Sequence, residues 1–212
     1  MKEISFNYTI KNEILLNQIQ LSLPEGSCLL INGIEDKAFT ILGAILGKIL
    51  PCMDLPDIDS LKLLYRDYNG ALTFIKHNYP DEVSYIGCDP DRHLLFSEVW
   101  EELSAQLKLP LSKSAFQDIL GQFSLPVSFL DRKIDSLSGG EKMKVALSLA
   151  FAFPHEVIIL HGVVPWLDKE GRNDLLKAIN QAKADKKIVV ILEQEFHCLE
   201  SVIDESYLLK DK

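Results

Sequence analysis

Long apolar runs, basic clusters and paired cysteines are all missing from this 212-residue chain. No stretch approaches the roughly 20 consecutive apolar residues of a membrane-spanning helix. Any membrane role is therefore expected to pass through a partner. Lys and Arg number 22 against 31 Asp and Glu, a net charge of −9, and no basic run interrupts that acidity. Nucleic acid is held by clustered cations that neutralise phosphates, so the charge argues against a nucleic-acid surface. It leaves room for a bound nucleotide, since one pocket can be locally positive on an acidic protein. The cysteines (Cys28, Cys52, Cys88 and Cys198) form no CxxC pair. That predicts reduced thiols, with no disulfide framework and no zinc or other metal site. The opening MKEISFNYTIKNE is charged and polar, which predicts no signal peptide and a cytoplasmic protein.

What is present is ordinary for a folded domain. Apolar residues make up 47% and charged residues 25%, which excludes gross disorder. The length predicts one compact domain with a small inserted subdomain. Residues 3–10 and 14–23 alternate apolar and polar side chains and are followed by the turn 24-PEG-26, the pattern of an antiparallel hairpin or meander. A short apolar run closing on Gly33 reads as a buried strand, and 39–50 as an apolar helix stopped by Pro51. Residues 52–80 carry little legible period apart from a strand at 70–75.

Strands are further expected at 82–87, 156–160, 187–193 and 205–210. Helices are expected at 94–108, 113–123, 141–152, 168–184 and 195–202. Strands alternating with helices predict an α/β fold with a mainly parallel sheet.

The most specific signal is 137-LSGGE-141. Two glycines after a serine let backbone N–H groups approach a ligand, and the helix beginning there offers its positive end to an anion. Ser138 as a plain N-cap and the glycines as a plain turn are the bland alternative. The surroundings weigh against it: a helix follows, then Pro154, an apolar strand, and the pair Leu167–Asp168 beyond the strand.

That order resembles the ATP-binding-cassette (ABC) ATPases over essentially the whole chain. The stretch 83-VSYIGCDPDRHLLFSEVWEEL-103 is similar to the energy-coupling-factor subfamily, whose corresponding segment lines the groove for a membrane subunit. The resemblance implies a P-loop α/β domain with a mainly parallel core sheet and an N-terminal antiparallel β subdomain. It places the nucleotide-binding-type core at 1–87 and 137–212, with a small inserted helical subdomain at 88–136 ending at the signature. Tyr8 in 5-SFNY-8 takes the place of the adenine-stacking aromatic; a strand Tyr in a solvent-facing hairpin is nearly as good a reading.

The departures matter more than the match. In 33-GIEDKAFT-40, Gly33 and Thr40 keep the ends of the family's G-x-x-x-x-G-K-[ST] loop, but Ala38 replaces its second glycine and Phe39 its lysine. Lys37 falls two residues early and is read as a surface partner of Glu35 or Asp36. Those two carboxylates oppose a triphosphate by charge and by crowding.

By the resemblance, His161 stands where the Mg²⁺ aspartate is expected and Gly162 where the catalytic glutamate is. Cys88 takes the place of the Q-loop glutamine, and Gln194 that of the switch histidine; His197 reads as a surface residue. Glycine can neither orient nor deprotonate a water. A lone His at a strand end is more often a hydrogen-bonded structural residue than a ligand, so no catalytic residue is expected to be retained.

Kept are Ser138, Gly139, Gly140 and Glu141 of the signature, and Leu167 and Asp168 of the loop that crosses the dimer interface in the family. Because ABC ATPases pair head to tail, the resemblance implies a chain whose own site is impaired. It would complete the ATP and Mg²⁺ site of an intact partner subunit, beneath a membrane transporter subunit at the inner face of the membrane. Such a chain is not hydrolytic alone and is active only within a heteromeric ATPase. A pseudo-ATPase scaffold or regulator is the alternative. An ATPase using Lys37 and His161 is a third reading, and it needs several independent rescues at once.

Overall fold

The computed structural model describes residues 2–10, 13–33, 60–66, 72–74, 83–107 and 113–209. The helix expected at 39–50, and with it Glu35, Asp36, Lys37, Ala38, Phe39 and Thr40, lies outside the described residues.

Strands β1 (Lys2–Ile10) and β2 (Glu13–Leu23) pair antiparallel, as their alternation predicts, and β3 (Cys28–Gly33) follows the Pro24–Ser27 turn. Strand β4 (Ser60–Arg66), which sequence patterning did not find, lies antiparallel against β1 and carries β5 (Leu72–Phe74) on its other edge. Its side chains, SLKLLYR, show only a short alternation. Non-local pairing with β1 decides its conformation more than local pattern does.

Beyond β6 (Val83–Ile86) come helices α1 (Val99–Leu107), α2 (Lys113–Gly121) and α3 (Gly139–Ala152). The chain returns as β7 (Val157–His161), crosses over through α4 (Lys169–Ala184) to β8 (Ile188–Leu192), and ends its described part with β9 (Glu205–Leu209).

The second sheet has five parallel strands in the order β6-β7-β8-β3-β9. Its central strands read as unbroken apolar runs because both faces are covered. Alternate residues Leu30, Ile158, Leu160, Val189 and Ile191 pack with Val145 and Leu149 of α3 and Leu175 and Ile179 of α4. Their neighbours Leu29, Ile31, Ile159 and Val190 are buried as well. Each such side chain contributes about 1.5–3 kcal/mol by leaving water.

Three local expectations change. Helix α1 begins at Val99 rather than Leu94, because the buried Glu102 carboxylate accepts the amides of Leu95 (2.6 Å) and Phe96 (2.9 Å) and so holds that segment as a loop. Strand β7 runs one residue further, to His161, whose partner in register is Leu192. The helix expected at 195–202 is a short 3₁₀ turn, His197–Val202.

Parallel order brings the carboxyl ends of β3, β7 and β8 together. The Gly162 amide donates to the Leu192 carbonyl (3.0 Å), and the Glu193 amide to the Ile31 carbonyl (3.2 Å). Sheets of this kind bind ligands at such strand ends.

Candidate functional site

The signature begins with a complete capping box. Ser138 sits in extended conformation, its Oγ accepts the Glu141 amide (3.3 Å), and its own amide donates to Glu141 Oε2 (2.7 Å). Helix α3 therefore starts at Gly139, two residues before the start expected from patterning. Arg132 donates through Nη1 to Glu141 Oε1 (2.9 Å) and lies over the Phe129 ring. The Ser138 amide, with Arg132 adding to it, holds the Glu141 carboxyl below its usual range.

Ser138 is exposed, and because its oxygen accepts from Glu141 its hydroxyl proton stays available to a further acceptor. The amides of Gly139 and Gly140 belong to the first turn, which a helix leaves without intrahelical partners. Beside them lies a cavity of about 430 Å³ lined by Ser138, Gly140, Lys144, Trp166 and Asp168.

Leu167 is buried, whereas Asp168 caps α4 by accepting the Gly171 amide (2.8 Å). Lys144 of α3 reaches the same carboxylate oxygen at 3.1 Å. The Gly171 amide and then Lys144 hold the Asp168 carboxyl below its usual range. One cation thus ties the signature helix to the loop that carries the LD pair.

The strand ends are organised differently. His161 is buried, and its Nδ1 shares a hydrogen bond with the Tyr85 hydroxyl at 2.9 Å. Burial pushes that hydroxyl well above its ordinary range, so it stays protonated. Gly162 has φ +64, and a Cβ there would lie 2.8 Å from the Cys88 Cβ. The left-handed φ together with that contact favours glycine here. Cys88 is exposed, and its carbonyl accepts the indole N–H of Trp166 (2.7 Å).

Gln194 is exposed just past β8, and the preceding Glu193 is buried. Glu193 Oε1 accepts the Val164 amide (2.8 Å), and burial pushes its carboxyl up to about 7.

Cys88, Gly162, Trp166 and Gly139 therefore converge, while His161 turns to Tyr85. Gly33 closes β3 opposite Leu209. Tyr8 lies in β1 at a register irregularity, opposite Leu16 and Leu61. Lys37 and Thr40 fall outside the described residues. Sequence reasoning overlooked Tyr85, Lys144, Trp166 and Glu193. A bulky tryptophan directly before an LD pair, and a carboxylate closing an otherwise apolar strand, were the available signals.

Magnesium takes oxygen ligands. The positions at the end of β7 and beside it offer a His161 nitrogen held by tyrosine, a glycine and a thiol, which do not fit it. Among the described residues no group of three or more His, Cys, Asp or Glu side chains is placed to hold a metal ion.

No protein-family profile matches the chain. It is 28% identical over 198 residues to the energy-coupling factor transporter ATP-binding protein EcfA2 of Thermotoga maritima, covering 89% of this chain and 68% of that one. To EcfA1 of Mycoplasma mobile it is 26% identical over 196 residues, covering 90% and 69%. To EcfA1 of Mycoplasmopsis pulmonis it is 27% identical over 216 residues, covering 99% and 77%. Among solved structures, the ATP-binding subunit of an ABC transporter superposes with TM-score 0.76 at 18% identity, over 99% of this chain and 85% of that one. The cbiO1 protein of Clostridium perfringens, part of an ABC transporter complex, superposes with TM-score 0.72 at 17% identity, over 99% and 84%.

Proposed function

We infer that this chain, an ABC-type ATPase homologue of the energy-coupling-factor kind, is the non-hydrolytic half of a heteromeric transporter ATPase. Its signature completes the ATP site of an intact partner subunit. The observation that carries the reading is the contrast across Trp166. On one side stands an intact, solvent-facing cap at Ser138; on the other, Gly162 is wedged in left-handed conformation against Cys88.

ATP and Mg²⁺, held by the partner's own phosphate loop, would supply the phosphoanhydride and its counter-charge. This chain would present the Ser138 hydroxyl and the Gly139 and Gly140 amides to the terminal phosphate. Fixed donors that need no reorganisation stabilise charge developing in the transition state. Lys144 and Asp168 would hold the adjoining loop against the same interface.

Leu95 (79% exposed) and Phe96 (43% exposed) project outward from the loop that Glu102 holds. In the energy-coupling-factor subfamily this segment lines the groove that receives a membrane subunit, and two outward apolar side chains suit that contact. Among the described residues no helix is long and apolar enough to cross a membrane. Attachment through a transporter partner at the inner membrane face follows from this reading.

The test is reconstitution with an intact ABC subunit from the same cell. Ser138→Arg should abolish MgATP hydrolysis by the pair, a loss of about 100-fold or more, as when a transition-state donor is removed and a bulky cation put in its place. Normal turnover with a folded Ser138→Arg chain would refute the reading and leave a scaffold role. Calorimetric titration of the chain alone with MgATP should give no saturable heat.

A further inference from the structure

The Trp166 indole touches three segments that the chain keeps far apart in sequence. It ends the 3₁₀ turn Val164–Trp166 that leads into the LD pair. Its Nε1–H donates to the Cys88 carbonyl (2.7 Å), at the mouth of the segment leading to α1. Its ring lies against the signature: a Cβ on Gly139 would stand 2.4 Å from Cζ3 and 2.8 Å from Cε3, closer than real Cβ atoms come. The Trp166 carbonyl closes on Gly140 in the same way, 2.9 Å from where its Cβ would be. Both glycines of the signature are thus required by an intramolecular neighbour as well as by any approaching ligand.

The anchor under the ring is itself held. The Val164 amide that starts the turn is bound by the buried Glu193 carboxylate, and the Asp168 cap that ends it is bound by Lys144. The ring remains 40% exposed and forms one wall of the 430 Å³ cavity beside Ser138.

We propose that Trp166 is a positioning residue for the signature. Its indole holds Gly139 to the Cys88 carbonyl while its backbone carbonyl meets Gly140, fixing the height and order of the amides offered to the partner's nucleotide. The proposal rests on the reading that this chain completes a partner's site. Trp166 touches no nucleotide in it and acts through the glycines. Stacking and one directional hydrogen bond between two rigid groups suit this task, since an indole has only two side-chain torsions to immobilise.

The closing experiment has two arms. In the first, amide hydrogen exchange is followed in the isolated chain. Trp166→Ala should speed exchange of the Glu141 and Lys142 amides, which donate to Ser138, by about tenfold or more, and leave the α3 core at 145–150 unchanged. Trp166→Phe keeps a ring over Gly139 but loses the N–H, and should give an intermediate increase at the signature.

In the second arm the variants are paired with the intact subunit. kcat should fall roughly fivefold or more in Trp166→Ala while the KM for MgATP, set by the partner's own loop, changes less than about twofold. Trp166→Phe should recover most of kcat. Unchanged exchange at Glu141 and Lys142 in folded Trp166→Ala overturns the proposal, and so does a kcat equal to wild type. A wild-type pair without ATPase activity refutes the functional reading instead, and the exchange arm then decides the tie by itself. If Trp166→Ala fails to fold, Trp166→Phe decides by the exchange arm, and unchanged exchange at Glu141 and Lys142 in it overturns the proposal.

Discussion

Two glycine-bearing ends of this molecule stand on either side of Trp166. At Gly139 and Gly140 the backbone is the half-buried first turn of a helix, capped by the exposed Ser138 and flanked by the Arg132–Glu141 pair. At Gly162 the backbone is left-handed, between a buried His161 and the Cys88 side chain. The first end keeps its polar groups pointed outward with spare donors. The second has turned its polar groups inward: His161 is bonded to Tyr85, and the Gly162 amide donates to Leu192. The exposed end leaves hydrogen-bonding capacity unspent, whereas the buried end satisfies it internally, because buried polar groups left unpaired are costly.

The largest expected effect comes from trying to make the second end resemble an intact one. Gly162→Glu must place a side chain at φ +64 with its Cβ 2.8 Å from the Cys88 Cβ. The strain and overpacking should cost about 3–5 kcal/mol in denaturant unfolding and restore no hydrolysis to the chain. A stable Gly162→Glu protein would show that the closure of this end is shallow.

Next in size is the pH dependence carried by Glu193. Its carboxyl titrates near 7 in the fold because burial dominates over the Val164 and Val163 amides that oppose it. The ordinary carboxylate value is about 4.3. Between those values the folded state binds the extra proton, so the stability the group contributes is full below about pH 4.3 and is lost as pH rises through 7. The change is on the order of 3 kcal/mol. Glu193→Gln keeps an acceptor for the Val164 amide and should flatten that part of the stability–pH curve from pH 5 to 8. Parallel curves for the two proteins would remove the titration from Glu193.

The smallest effect tests the first end. Glu141→Ala deletes half of the capping box and the partner of Arg132. It should lower stability by about 1 kcal/mol in thermal melts, with the fold intact. A loss several times larger would mean that the signature turn is integral to the core rather than a capped surface element.

Much of this was legible in the chain. Unbroken apolar runs at 157–160 and 188–192 marked central strands, and the Ser138–Glu141 spacing marked a capped helix, because both patterns are local. Strand β4 was not legible, since its partner lies more than fifty residues away in β1. The loop at Leu94–Glu98 read as helix because its apolar spacing is helical. The Glu102 carboxylate, folding back on the amides of Leu95 and Phe96, and the pairing of Glu98 with Lys133 hold it as a loop.

The sequence by itself determined the parallel α/β architecture, the capped turn at Ser138, and the residue types His161 and Gly162 at the end of β7. Periodicity, capping and chemical identity are all local properties. The tertiary structure alone decided that His161 bonds to Tyr85, that Gly162 closes on Cys88, and that Trp166 bridges Cys88 to the signature. Those contacts join residues 27 to 78 positions apart. Only the parallel stacking of β6, β7 and β8, with α3 packed across them, brings such positions within bonding distance.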